Sequence, residues 1–117
     1  MDRIQVKRTY EPPEKTDGAR FLVDRLWPRG IKKEALPLAG WIKEVAPSRS
    51  LRQWFAHDPL KWEEFRNRYL QEIESHKELV EPIRKALRTG PVTLLYSAKD
   101  QKHNNAVVLA EFLCSSR

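Results

Sequence analysis

Val92-Thr93-Leu94-Leu95-Tyr96 is a short run, β-branched at its start and apolar toward both faces. That is the pattern of a central strand in a parallel sheet, where helices or loops cover each side. Gly90-Pro91 stops whatever helix precedes it. Downstream, Ser97-Ala-Lys-Asp-Gln-Lys-His-Asn-Asn105 leads into Ala106, Leu109, Ala110 and Leu113, whose spacing predicts a closing helix over about 102–114. The run therefore sits in mid-sheet and begins the last strand-helix pair of the chain.

The nearest strand upstream is Arg20-Phe-Leu-Val-Asp-Arg-Leu26, where an apolar core of Phe21, Leu22 and Val23 ends in Asp24 and Arg25. Trp27-Pro28-Arg29-Gly30 then turns the chain, with Pro fixing one φ and Gly permitting a positive one. Before it, Ile4 and Val6 alternate with Arg3, Gln5 and Lys7, a strand with one buried face, and Glu11-Pro-Pro-Glu-Lys-Thr-Asp-Gly18 reads as a mobile loop.

Between the second and third strands lies a connection of roughly sixty residues rich in helical spacing. Leu38, Trp41, Ile42 and Val45 predict a helix over about 38–46, although Pro37 and Gly40 interrupt its start. Ser48 caps a short helix carrying Leu51, Trp54 and Phe55. Asp58-Pro59 opens a longer one with Trp62, Phe65, Tyr69 and Ile73 in one stripe, and its outer face pairs Glu63 with Arg66 and Glu64 with Arg68. Pro82 kinks or restarts the helix before Gly90. The fold class is thus α/β, a small open sheet of about three mainly parallel strands with helices packed around it.

The chain has 117 residues, enough for one domain over residues 1–117 and too few for two. Lys and Arg number 22 against 16 Asp and Glu, a net charge of +6, which favours an anionic partner. One cysteine, Cys114, leaves no internal disulfide and reads as a small core or near-terminal residue. The polar N-terminus has no signal-peptide core, and no apolar run spans a membrane, so the expected setting is cytoplasmic. The histidines at 57, 76 and 103 lack a paired metal-ligand spacing, and the glycines at 18, 30, 40 and 90 form no phosphate loop, so no metal and no nucleotide cofactor is expected.

Function follows from strand direction. Parallel strands joined by a helical crossover bring their C-terminal ends to one edge, where open α/β sheets bind ligands and helix N-termini favour anions. That edge collects Arg25 to Gly30 and Ser97 to Asn105. Arg25 and Arg29 are fork-shaped anion binders with Trp27 between them, Lys99 is a point charge, and Asp100 and His103 are acid/base or capping groups. Each has a plainer role: Asp100 as an N-cap, Arg25 as the partner of Asp24 or a helix acid, His103 as polar surface. His57 is a loop residue that reaches the edge if the helix of Trp54 packs over it. Ser97 lacks the Gly-x-Ser-x-Gly elbow of a serine nucleophile. The reading is an anionic small molecule, phosphate- or carboxylate-bearing, bound at the C-terminal edge by a protein that is a hydrolase or transferase if it has a reaction. The alternative is nucleic acid held by Arg49, Arg52, Lys61, Arg66 and Arg68 along two helices, diluted by interleaved glutamates.

Several blocks together carry a family resemblance: Lys7-Arg-x-Tyr10, Asp17-Gly-x-Arg-x-Leu-Val-Asp-Arg-Leu-Trp-Pro-Arg-Gly30, Trp41-x-Lys-x-x-Ala-Pro-Ser48, Leu51-Arg-x-Trp-Phe-x-His-Asp58 and Leu94-Leu-Tyr-x-Ala-Lys-Asp100 with His103-Asn104. They span nearly the whole chain, which resembles the small bacterial YeaO-like branch of domain-of-unknown-function family 488. The resemblance implies a compact α/β domain and names no activity. In the broader family the strand ends carry an Asp-x-Arg and a Cys-x-Glu. Here Asp24-Arg25 has no spacer, and Tyr96 to Lys99 holds neither the cysteine nor the glutamate, so thiol chemistry does not carry over onto these residues.

Overall fold

The computed structural model describes residues 3–115. Its centre is a four-stranded sheet, with β1 Ile4–Arg8, β2 Ala19–Leu22, β3 Gly40–Trp41 and β4 Val92–Tyr96 in the order β1-β4-β2-β3. All three pairings are parallel. β4 lies between β1 and β2, and every one of its residues is buried, as its two-sided apolar pattern requires.

The pleat sends alternate side chains to two separate cores. Val92, Leu94 and Tyr96 join Phe21, Val23 and the buried faces of the helices: α1 Arg49–Phe55, α2 Trp62–Ser75, α3 Glu81–Leu87 and α4 Asn105–Ser115. Leu95 and Leu22 point the other way, into a smaller cluster with Leu36 that is flanked by Trp27, Ile31, Leu38 and Trp41. The α2 stripe buries Phe65, Tyr69 and Ile73, and α4 buries Ala106, Val108, Leu109, Phe112 and Leu113. No helix of the described residues is long and apolar enough to cross a membrane.

Five sequence expectations need correction. The helix expected over 38–46 is instead β3 followed by a single 3-10 turn, Lys43–Val45. Pro37 has no N–H and Gly40 favours helix poorly, while Ala39 and Ile42 donate backbone N–H groups to Arg20 and Leu22 carbonyls at 2.7 and 3.0 Å. The apolar spacing there serves both cores, with Leu38 and Trp41 on one face and Ile42 and Val45 on the other. The sheet therefore has four strands rather than three. β2 stops at Leu22 instead of about Leu26, and Leu26 is 72% exposed. The last helix starts at Asn105, not Lys102. Arg66 pairs with Glu111 on α4 rather than with Glu63, whereas the Arg68–Glu64 pair forms as expected.

The opening strand departs from simple alternation in one respect. Lys7 is buried, and its ammonium donates to both carboxylate oxygens of Asp17 at 2.9 and 3.2 Å and to the Pro12 carbonyl at 3.1 Å. The Arg20 guanidinium, 6% exposed, lies 3.5 Å from the same carboxylate. Thr93 on β4 donates its hydroxyl to the Asp17 carbonyl at 2.7 Å, so the Pro-rich loop is pinned to the sheet. Gly18 makes this possible: its φ is +67°, and a Cβ there would stand 2.1 Å from the Pro91 carbonyl oxygen.

Candidate functional site

At the C-terminal edge, β2 and β4 release the chain side by side. Val23 continues the ladder by one bond, its N–H donating to Leu95 at 3.2 Å, and its carbonyl accepts the Asn105 amide at 3.0 Å. Asp24 follows and turns its carboxylate to the end of β4, where the Ser97 N–H donates to it at 2.9 Å. The Ser97–Ala98 backbone is held from the other side by Arg8, whose guanidinium donates to both carbonyls, at 3.1 and 2.9 Å.

A cavity of about 580 Å³ opens over this junction. It is lined by Asp24, Ser97, Asn104 and Asn105 from the two strand ends and the start of α4, and by Arg25, Trp27 and Arg29 from the turn after β2. Arg52, Phe55 and His57 from α1 and its end, Phe65 from α2, and Tyr10 also line it. The turn is rigid: Trp27 donates its indole N–H to the Ile31 carbonyl at 2.6 Å, Trp41 donates to the Asp24 carbonyl at 2.8 Å, and Gly30 takes φ +83°. Tyr10 donates its hydroxyl to the Arg29 carbonyl at 2.9 Å.

Among the described residues, the side chains of Arg25 and Arg29 have no hydrogen-bond or ion-pair partner in the protein. Arg25 does not pair with Asp24. It also borders a second cavity of about 280 Å³ with Glu44, Tyr69, Glu72 and His76. There Ser48 occupies Glu72, donating its N–H at 2.9 Å and its hydroxyl at 2.6 Å.

Of the six residues expected to form a site, Arg25, Trp27, Arg29 and His103 line the larger cavity, while Lys99 is exposed and does not. Asp100 stands behind His103 and accepts its Nδ1–H at 2.9 Å, along with the backbone N–H groups of Lys102 and His103 at 2.9 and 3.0 Å. Those backbone and imidazole donors hold the Asp100 carboxyl below its ordinary value. Asp100 thus closes the turn before α4. The helix cap is Asn104, whose side-chain oxygen accepts the Val107 N–H at 3.0 Å. The His103 and Trp62 rings meet in a T-shaped arrangement, with centroids 5.0 Å apart.

Asp24 and Arg52 gain a place at this site that the sequence did not give them, and His57 takes the place it was given conditionally. Among the described residues Asp24 is the one acid lining the cavity, and burial raises its carboxyl above the ordinary value against the opposing hydrogen bonds from Ser97 and Asn105. Its signal was present, an acid at the first position after a buried strand. Arg52 reaches the wall from the first turns of α1, held by a 3.1 Å bond from its Nε to the Pro47 carbonyl. His57 meets the condition set for it, because α1 does pack over the edge. Ala56 and His57 both have positive φ, 47° and 58°, an unusual pair for non-glycine residues, and this backbone puts the imidazole on the cavity wall.

The cations proposed for nucleic acid are mostly engaged. Lys61 donates to the Trp54 carbonyl at 2.8 Å, Arg66 pairs with Glu111, Arg68 pairs with Glu64 over the Trp54 ring, and Arg52 lines the cavity. Cys114 is exposed at the end of α4, near-terminal rather than core.

Comparison with known proteins gives a consistent relationship. The model of a family described as the inactive DUF488-N3 subclade matches residues 3–116. The uncharacterised protein YeaO of Escherichia coli K12 is 47% identical over 112 residues, covering 96% of this chain and 97% of that one. The uncharacterised protein Rv3073c of Mycobacterium tuberculosis H37Rv is 40% identical over 111 residues, 95% of this chain and 93% of its own. No solved structure matches significantly.

Proposed function

The chain belongs to the inactive DUF488-N3 subclade, and we propose that it binds an anionic small molecule in the cavity at the C-terminal edge of its sheet, as a recognition module rather than a catalyst. One observation carries the reading. Arg25 and Arg29 place two guanidinium groups without protein partners on the wall of a cavity of ligand size. Guanidinium groups without a carboxylate partner are suited to phosphate or carboxylate, which they grip with paired N–H donors. The subclade's description as inactive agrees with a site that has neither cysteine nor glutamate at Tyr96 to Lys99.

Titration of the protein with inorganic phosphate, followed by calorimetry or amide chemical shifts, tests this. Binding is expected at millimolar concentration or below, weakened by salt. Arg25→Ala and Arg29→Ala should each reduce it about tenfold, the scale of a hydrogen bond to a charged group. Lys99→Ala, outside the cavity, should leave it within about twofold on the same scale. Absence of phosphate binding, or binding indifferent to both arginines, rejects the proposal.

A second reading, hydrolase or transferase chemistry, has the Asp100–His103 hydrogen bond in its favour, since it fixes an imidazole on the cavity wall as a proton-handling group. Release of product from a ligand that binds, abolished by His103→Gln, would replace the recognition reading by this one.

A further inference from the structure

The turn after β2 is fixed by residues other than its cations. Trp27 donates its indole N–H to the Ile31 carbonyl at 2.6 Å and meets Trp41 in a T-shaped arrangement with centroids 5.4 Å apart, and Pro28 is buried. The Trp41 indole N–H donates to the Asp24 carbonyl at 2.8 Å, and the Tyr10 hydroxyl donates to the Arg29 carbonyl at 2.9 Å. The side chains of Arg25, Leu26 and Arg29 take no part in this scaffold. The two guanidinium groups have no partner among the described residues, and Leu26 is 72% exposed. Tyr10 and Leu26 are two of the three large apolar side chains left exposed among the described residues, and both line the same cavity as the arginines. An isolated exposed leucine is ordinary. A leucine and a tyrosine sharing a cavity with unpaired arginines mark a surface for a partner.

Resting on the anion reading, we infer that this surface takes an acidic segment of a partner protein, with carboxylates at Arg25 and Arg29 and a neighbouring apolar side chain covering Leu26. Charge selects the occupant. Arg25, Arg29 and Arg52 line the cavity against Asp24 alone, which attracts an acidic chain. A second copy is disfavoured, because each chain carries a net charge of +6. A membrane surface fits poorly, because the site is concave and the Tyr10 hydroxyl is already bound to the protein. The turn is held by its own hydrogen bonds before any partner arrives, so little ordering cost falls on docking. The arginines set the requirement for acid, and Leu26 sets the requirement for an apolar neighbour.

Calorimetry on the full chain at neutral pH tests this with inorganic phosphate and two peptides of equal charge, acetyl-Glu-Glu-Leu-Glu-Glu-amide and acetyl-Glu-Glu-Ser-Glu-Glu-amide. The wild type should bind the leucine peptide about tenfold more tightly than the serine peptide, the scale of partly burying one leucine. Arg25→Ala should weaken both peptides about tenfold. Leu26→Ser changes an exposed side chain, so it should remove the leucine preference and leave phosphate affinity within about twofold. Equal wild-type affinity for the two peptides, or a preference that survives in Leu26→Ser, overturns the inference. Vesicles of phosphatidylglycerol that bind through Leu26 where the peptides do not would assign the surface to a membrane, and overturn it as well. Failure of both peptides while phosphate still binds through Arg25 overturns the inference and leaves the anion site standing. Failure of phosphate as well overturns both.

Discussion

Asp17 shows how one residue can decide a region. It is fully enclosed, with Lys7 and Arg20 as its charged neighbours. Burial pushes its carboxyl upward, but the hydrogen bonds from Lys7 and from the Glu14 N–H, with the Lys7 and Arg20 charges, outweigh burial and hold it below the ordinary 3.8. A carboxyl depressed on folding contributes stability above its unfolded value and loses it as pH falls through the folded one. Asp17→Asn should thus cost about 3–5 kcal/mol at pH 7, because it strands two buried cations. The difference from wild type should shrink as pH drops below about 4, the unfolded carboxyl range. Urea denaturation at a series of pH values checks both, and a gap that stays constant down to pH 3 would contradict the assignment. The alternation of Ile4 and Val6 marked a strand but could not mark Lys7 as buried, since its partner is supplied by a loop ten residues away.

At the scale of elements, short helices here depend on their ends. α1 has only seven residues, too few to be stable alone, and it stands because Ser48 caps it and ties it to α2. The Ser48 hydroxyl accepts the Leu51 N–H at 3.2 Å and donates to Glu72 at 2.6 Å. Ser48→Ala should cost about 1–2 kcal/mol in urea denaturation, at the upper end for a cap because a part-buried Glu72 loses a partner as well. Because α1 carries Arg52 and leads to His57, the same variant should weaken phosphate binding; unchanged affinity would mean that the α1 wall does not contribute. The cap was legible from Ser48 after Pro47. β3 was not, because two residues of strand leave no period to read, and only the free edge of β2 recruits them.

Over the whole molecule, the arrangement is governed by β4. Its two faces serve two cores, so Leu94→Ala, fully buried against the helices, should cost about 2–5 kcal/mol. A thermal-melt loss under 1 kcal/mol would mean that the helical layer closes over the gap. Local patterning sufficed to identify β4 as central, to make β2 parallel to it, to place caps at Ser48 and Asp58, and to bring the two loops to one edge. These follow from hydrophobic period, proline and glycine geometry and the handedness of crossovers, all of which act along the chain. Family membership was legible in the same residues. Tertiary structure alone decided that Leu38, Trp41, Ile42 and Val45 divide between two cores, and that Arg66 reaches across to Glu111. It also decided that Lys99 stands outside the cavity while Asp24, Arg52 and His57 line it. Each depends on a partner distant in sequence, and which of two nearby charges faces a cavity is set by side-chain direction at a turn, which residue types do not encode.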